Sequence, residues 1–199
     1  MESISKTARR SFAKSSFAAV ILSLLSSCQT LKTGDLLFHV AESGNAITDV
    51  TSGMIDHVAV YLGNDSVVEA VGRGVVITPL DSLRKQKGHY VIGRVSNLNA
   101  KASTEQALSF VGRSYDWLYL PDNDDIYCSE LVLLSYIDRN GKPLFTPIPM
   151  SFHDASGRIT DYWTKFYARH QIEVPEGLPG SNPSELSRRP IVHMKGRLK

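Results

Sequence analysis

The 199-residue chain is predicted to fold as an α+β protein, an antiparallel sheet or partial barrel packed against helices. Three observations predict this class. Between residues 34 and 95, short β-rich segments alternate with Gly, Asn and Asp turn signals, the pattern of a strand meander. The helical patterns come later and cluster around Cys128. The composition, 42% hydrophobic and 21% charged, is that of a globular chain with its own core and no repeat period.

Taken in order, residues 35–40 (DLLFHV) form a strand candidate after Gly34, and residues 41–56 a polar loop with at most one helical turn. Residues 57–62 (HVAVYL) and 67–71 (VVEAV) flank the turn signal Gly63-Asn64-Asp65-Ser66 and read as a hairpin. After Gly72-Arg73-Gly74 come a strand at 75–78, a short helix at 81–86 and a strand at 90–95. A helix is predicted over 103–111, with Ser103 and Gln106 as a capping box. Residues 112–127 are a polar and aromatic loop. Cys128 then opens an apolar helix reaching residue 137 and ended near Asn140-Gly141. Residues 159–170 fit a helix or a strand. The Pro-rich stretch 173–190 reads as a surface loop.

Residues 1–27 stand apart. Lys6, Arg9, Arg10 and Lys14 precede a short apolar run at 17–25 and then small residues, the layout of a secretory signal. The run is too short to span a bilayer comfortably, and no later segment is apolar for about 18 residues. Leu25-Ser26-Ser27-Cys28 resembles a bacterial lipobox, with Cys28 as the lipidated residue, residues 28–33 as a short tether and 34–199 as a single domain. Taking four basic residues and Glu2 out of the 22 basic and 20 acidic residues leaves 18 and 19, a formal charge of −1. No basic stripe remains, so a nucleic-acid partner is not expected.

With Cys28 lipidated, Cys128 is the one free thiol, an unusual economy for an exported chain. Its place at the start of an apolar helix suits a thiolate, because unpaired N–H groups and the helix dipole lower thiol pKa. A buried, inert cysteine is the plainer reading of that residue alone. His57, at a strand start, is the candidate base. Glu69, twelve positions later in the hairpin partner, is the candidate group to hold its tautomer. A three-residue loop would set the two face to face; a longer one would make them diagonal neighbours. The Cys128 N–H is one oxyanion donor, and Tyr115 or Tyr127 supplies the second. The remaining histidines show no ligand spacing, so neither metal nor cofactor is expected. Asp35, Arg73, Asp116 and Glu130 are candidate recognition charges, with surface or capping roles as the simpler alternative.

The segments Leu31-Lys32-Thr33-Gly34-Asp35-Leu36, Asp56-His57-Val58-Ala59, Val67-Val68-Glu69-Ala70 and Tyr127-Cys128-Ser129-Glu130 resemble the permuted papain-like enzymes of the YiiX/YebB-like group, relatives of the NlpC/P60 peptidases and of lecithin:retinol acyltransferase. The resemblance spans residues 31 to 190. It implies a circularly permuted papain-like fold with the nucleophile at a helix N-terminus and histidine before cysteine in the chain. It also implies Cys128 as nucleophile, His57 as base, Glu69 as third residue and Tyr115 as a helper of the oxyanion. The expected activity is a cysteine amidase or peptidase acting through a thioester, with cell-wall stem peptides as candidate substrates. The expected setting is a monomer anchored by lipid in a bacterial envelope. Two alternatives accompany it: an acyltransferase or lipid hydrolase with a groove built from residues 117–120, and a non-catalytic binding lipoprotein.

Overall fold

A computed structural model describes residues 30–199. The expected signal segment, Cys28 and the first part of the tether lie outside the described residues. The centre is a six-stranded antiparallel sheet in the order β4-β3-β2-β1-β5-β8. β1 (Leu36–Val40) is a middle strand, and Leu36, Leu37 and Phe38 are fully buried because both faces of the sheet are covered. β2 (Ile55–Gly63) and β3 (Ser66–Val71) form the predicted hairpin. Gly63 pairs with Ser66, and Asn64 and Asp65 between them both take positive φ, 48° and 50°. That is the two-residue type I′ geometry favoured by right-twisted strands.

β4 (Gly74–Pro79) is an edge strand. Gly74 has φ +100°, and a Cβ there would lie 2.3 Å from the Arg113 carbonyl oxygen. The missing side chain lets residues 112–116 close onto the sheet, where Val75 N–H donates to Arg113 O at 2.9 Å. α1 (Leu80–Arg84) packs Leu80 and Leu83 on one sheet face with Leu37, Ala59 and Ile92. β5 (His89–Val95) pairs with the free side of β1.

The other face carries the helices. α2 (Ala100–Ser109) starts three residues earlier than the capping-box reading, because Asn99 is the cap and accepts from Ala102 N–H at 3.3 Å. Ser103 is interior and fully buried; its hydroxyl accepts from Ile137 N–H at 3.1 Å and donates to Ile137 O. α3 (Cys128–Ser135) buries Leu131 and Val132 against β2 and β3. Each such side chain stabilises by about 1.5–3 kcal/mol. The helix stops before residue 137: Tyr136 leaves it with ψ 113° and donates its hydroxyl to Gly34 O at 2.9 Å. Asn140-Gly141 belongs to a separate turn organised by Asp138.

Residues 159–170 resolve to a helix, α4 (Asp161–Arg169), capped by Thr160, with Trp163 and Tyr167 in a third core cluster beside Met150 and Phe152. A short pair joins β6 (Ile148–Pro149) to β7 (Pro179–Gly180). The stretch 173–190 is not wholly a surface loop. It contains α5 (Pro183–Ser187), which buries Leu186 and Ser184, with Asn182 as cap accepting from Glu185 N–H at 2.7 Å. β8 (Val192–Arg197) then completes the sheet on the β5 edge. No helix among the described residues is long and apolar enough to cross a membrane.

Candidate active site

The sheet supplies the histidine and the carboxylate. Extending the Val60–Val68 register puts Glu69 opposite Ala59, so His57 and Glu69 are diagonal neighbours on one face. His57 Nε2 lies 2.8 Å from Glu69 Oε2. Glu69 is only 2% exposed, and an ion in that position needs a partner. Burial pushes its pKa up, but the His57 hydrogen bond and charge hold it below the ordinary carboxylate value.

α3 brings the sulfur. Cys128 is the first residue of the helix and is buried at 5% exposure, reached through a cavity and not from the open surface. Its sulfur lies close enough to the His57 ring to act on the protonation of the imidazole. Burial favours the neutral ring, but the Cys128 sulfur and the Glu69 carboxylate outweigh it and raise the imidazole from 6.5 to about 10. The three residues singled out in the sequence therefore converge across 71 positions. The chain can hold a sulfur–imidazolium–carboxylate row, the arrangement that activates a thiol for attack on a carbonyl.

The two tyrosines differ. Both line the cavity with Cys128. Tyr127 Oη accepts the Ser181 N–H at 3.0 Å, so its hydroxyl is committed to the loop before α5. Among the described residues Tyr115 Oη has only Tyr119 Oη, at 3.5 Å, and burial together with the nearby sulfur raises its pKa strongly, keeping it protonated. Tyr115 is thus the freer donor.

Two of the candidate recognition charges are buried structural groups. Asp35 takes a two-pronged contact from Arg94, Nε at 2.8 Å and Nη2 at 2.6 Å. Asp116, 3% exposed, accepts from the N–H groups of Leu118 and Leu120 at 2.8 Å and so folds the loop that carries Tyr119. Glu130 accepts from Tyr127 N–H at 3.4 Å in the first turn of α3, and burial raises its pKa to about 7.

A second histidine pair lies beside the first and was not assigned from sequence. His39 faces His57 across β1–β2. Its Nδ1 is 2.6 Å from Asp56 Oδ1 and its Nε2 2.7 Å from Lys87 O. Both partners are acceptors, so both nitrogens carry protons and the ring is an imidazolium. The other Asp56 oxygen accepts from Asn45 Nδ2 at 2.7 Å, which pins the loop 41–54 to the sheet. The Asp56-His57 doublet was the only sequence trace of this network. Among the described residues, no group of three or more His, Cys, Asp or Glu comes together as metal ligands would.

Two cavities meet at Ile47, Asp56, Tyr119 and Trp163. The narrow one, about 40 Å³, contains Cys128, Tyr115 and Tyr127. The wide one, about 480 Å³, contains His57 and Glu69 under the aromatic rings of Trp117, Tyr162 and Phe166.

The antiparallel sheet backed by helices, with the histidine strand ahead of the cysteine helix, has the layout of a papain-like fold in permuted order. The model of the permuted papain-like amidase enzymes, the YaeF/YiiX, C92 family, matches residues 30–190, and the chain belongs to this family. It is 34% identical over 77 residues to the probable lipoprotein peptidase YaeF of Escherichia coli, a stretch that is 38% of this chain and 28% of YaeF. Its fold is similar to the crystal structure of the metalloprotein yiiX from Escherichia coli O157:H7, with TM-score 0.66 and 22% identity over 84% of this chain and 97% of that one.

Proposed function

We propose that the chain is a cysteine peptidase or amidase that works through Cys128, His57 and Glu69. The observation that carries the reading is His57 held 2.8 Å from Glu69, with the Cys128 sulfur near enough to raise the imidazole pKa. Cys128 attacks the amide carbonyl, and the oxyanion is received by the Cys128 N–H and the Tyr115 hydroxyl. His57 protonates the leaving amine, then takes a proton from the water that clears the thioester. Glu69 fixes the ring and supports its charge. The substrate is a peptide or another amide, with cell-wall stem peptides as the candidates. Cys28 is the lipid-anchoring residue behind a signal segment at 1–27, and the protein acts as a monomer at a bacterial envelope membrane; the similarity to YaeF, a probable lipoprotein peptidase, supports the anchored setting.

The wide aromatic cleft gives a second reading, an acyltransferase or lipid hydrolase whose acyl chain lies along Trp117 and its neighbours. Trp117 is 55% exposed, available to a ligand. Incubation with cell-wall fragments and with N-acyl amides, followed by mass spectrometry, separates the two. Cleavage of peptide amides that disappears in Cys128→Ser and His57→Ala supports the first reading. Turnover restricted to long-chain acyl donors supports the second. For the anchor, labelled palmitate should enter the wild-type chain and not Cys28→Ser.

A further inference from the structure

The wide cleft, about 480 Å³, is lined both by His57, the group that must release the amine, and by aromatic rings from two separate elements. Trp117 comes from the loop after α2 and is 55% exposed; Tyr162 comes from α4 and is 51% exposed. Large rings left open to water in a concave space beside a reacting group mark a binding surface.

Both rings are held in place. The indole lies over Gly72, where a Cβ would come within 2.9 Å of Trp117 Cζ2. It also meets the Tyr115 ring at a steep angle, with centroids 4.8 Å apart. Asp116 takes the Leu118 and Leu120 N–H groups and so fixes the loop on which Trp117 stands. Tyr162 stacks on Phe166 one helical turn later, 6.1 Å away and within 11° of parallel. The rings are thus preorganised, and a ligand does not have to order them.

The polar lining narrows the ligand. His39 has both ring nitrogens bonded, and Asp56 both oxygens. Asn45 donates to Asp56 and accepts from the Ile47 and Thr48 N–H groups. Gln86 accepts from the Tyr90 hydroxyl. No Lys or Arg lines the cleft, and each of its carboxylates is matched by its own histidine. A charged substituent therefore finds no free counter-ion there. A sugar ring also stacks on an indole, but its hydroxyls would meet side chains that already have partners. What fits is an uncharged flat ring.

We propose that Trp117 and Tyr162 form the leaving-group subsite, and that it takes an amine carrying an uncharged aromatic or flat apolar substituent. The inference deepens the proposed function and rests on Cys128 as nucleophile and His57 as acid, because an amine that departs past His57 enters this cleft. The same subsite must receive an amine when the step runs backwards. The amine nitrogen attacks the thioester carbon, the C–N bond forms and the C–S bond breaks. The amine proton passes to His57, and the sulfur leaves as thiolate.

The test uses that reverse step on the full chain. p-Nitrophenyl acetate loads an acetyl group on Cys128, and added amines compete with water for it. The acetylated amine is counted by mass spectrometry above the amount made with Cys128→Ser. Phenethylamine should capture the acetyl group at about tenfold lower concentration than 2-methoxyethylamine, an amine of similar basicity with no ring, the size of one aromatic contact. It should also outdo glucosamine. The advantage over methoxyethylamine should be lost in Trp117→Ala, shrink in Tyr162→Ala and persist in Trp117→Phe. An advantage absent from wild type, unmoved by both alanine variants or exceeded by glucosamine overturns the subsite. Failure of the catalytic reading looks different: no amine would then be acetylated beyond the Cys128→Ser level. The subsite would still be read with the neutral product, N-phenethylacetamide. Its titration should change the tryptophan emission of wild type but not of Trp117→Phe, and should need more ligand in Tyr162→Ala. No change in wild type, or the same change in Trp117→Phe, overturns it.

Discussion

His39 and His57 stand opposite each other in the β1–β2 ladder, and each holds its own carboxylate. Asp56 is 2.6 Å from His39 Nδ1, and Glu69 is 2.8 Å from His57 Nε2. The first pair has no sulfur and positions a wall; the second has Cys128 and is the proposed catalytic pair. Their separate partners let the two histidines be tested separately.

Glu69→Gln keeps the shape and removes the charge that supports His57. The imidazole pKa should fall below about 10, and amide turnover should drop roughly 10²–10⁴-fold, the range for loss of the group that orients a catalytic histidine. Steady-state kinetics should show the loss in kcat more than in KM.

The His39–Asp56 link predicts a pH window for stability. His39 is raised above 6.5, chiefly by its hydrogen bond to Asp56. Its contribution is whole below 6.5 and fades as pH climbs through the raised value. For Asp56, burial acts upward, but the His39 hydrogen bond and charge hold its pKa below 3.8. Its contribution is whole above 3.8 and fades as pH falls through the lowered value. Urea unfolding at pH 6 should show His39→Gln destabilised by about 1.5–3 kcal/mol, with the gap closing at alkaline pH.

Arg94→Met leaves Asp35, 2% exposed, without its cation. Removing one partner of a buried pair costs about 3 kcal/mol or more. Urea denaturation should report that loss, and Arg94→Met/Asp35→Leu should recover much of it, because the second change removes the stranded charge.

The two tyrosine hydroxyls should separate by phenotype. Tyr115→Phe removes the proposed oxyanion donor, so kcat should fall roughly 10²–10³-fold with stability unchanged. Tyr127→Phe removes the acceptor for Ser181 N–H and should cost about 1 kcal/mol in unfolding, with a smaller effect on kcat. Equal losses of kcat in both would contradict the assignment.

The hairpin that carries His57 and Glu69 was legible because turn chemistry and β-branched runs are local signals: Gly63-Asn64-Asp65-Ser66 specifies its own geometry. Cys128 was legible because a polar loop gives way abruptly to apolar residues there. Asn182-Pro183-Ser184-Glu185 is also a local helix start, a cap, a proline at the first position and an acid two residues later, but the surrounding prolines masked it as loop. Ser103 fits a cap by local pattern but lies inside α2, where its hydroxyl meets Ile137, a tertiary contact with no local signal. The His39–Asp56–Asn45 network was not legible. It depends on which loops meet across 11 to 48 positions, and no spacing rule encodes that meeting.

The protonation of His57 tests the central claim most directly. Nuclear magnetic resonance of ¹⁵N-labelled imidazoles, titrated in wild type and in Cys128→Ser, reads it without a substrate. The account predicts a His57 that stays protonated through neutral pH and titrates near 10 in wild type, with a clear downward shift in the serine variant. A His57 that titrates near 6.5 alike in both proteins would contradict it, because sulfur and ring would then not sense each other.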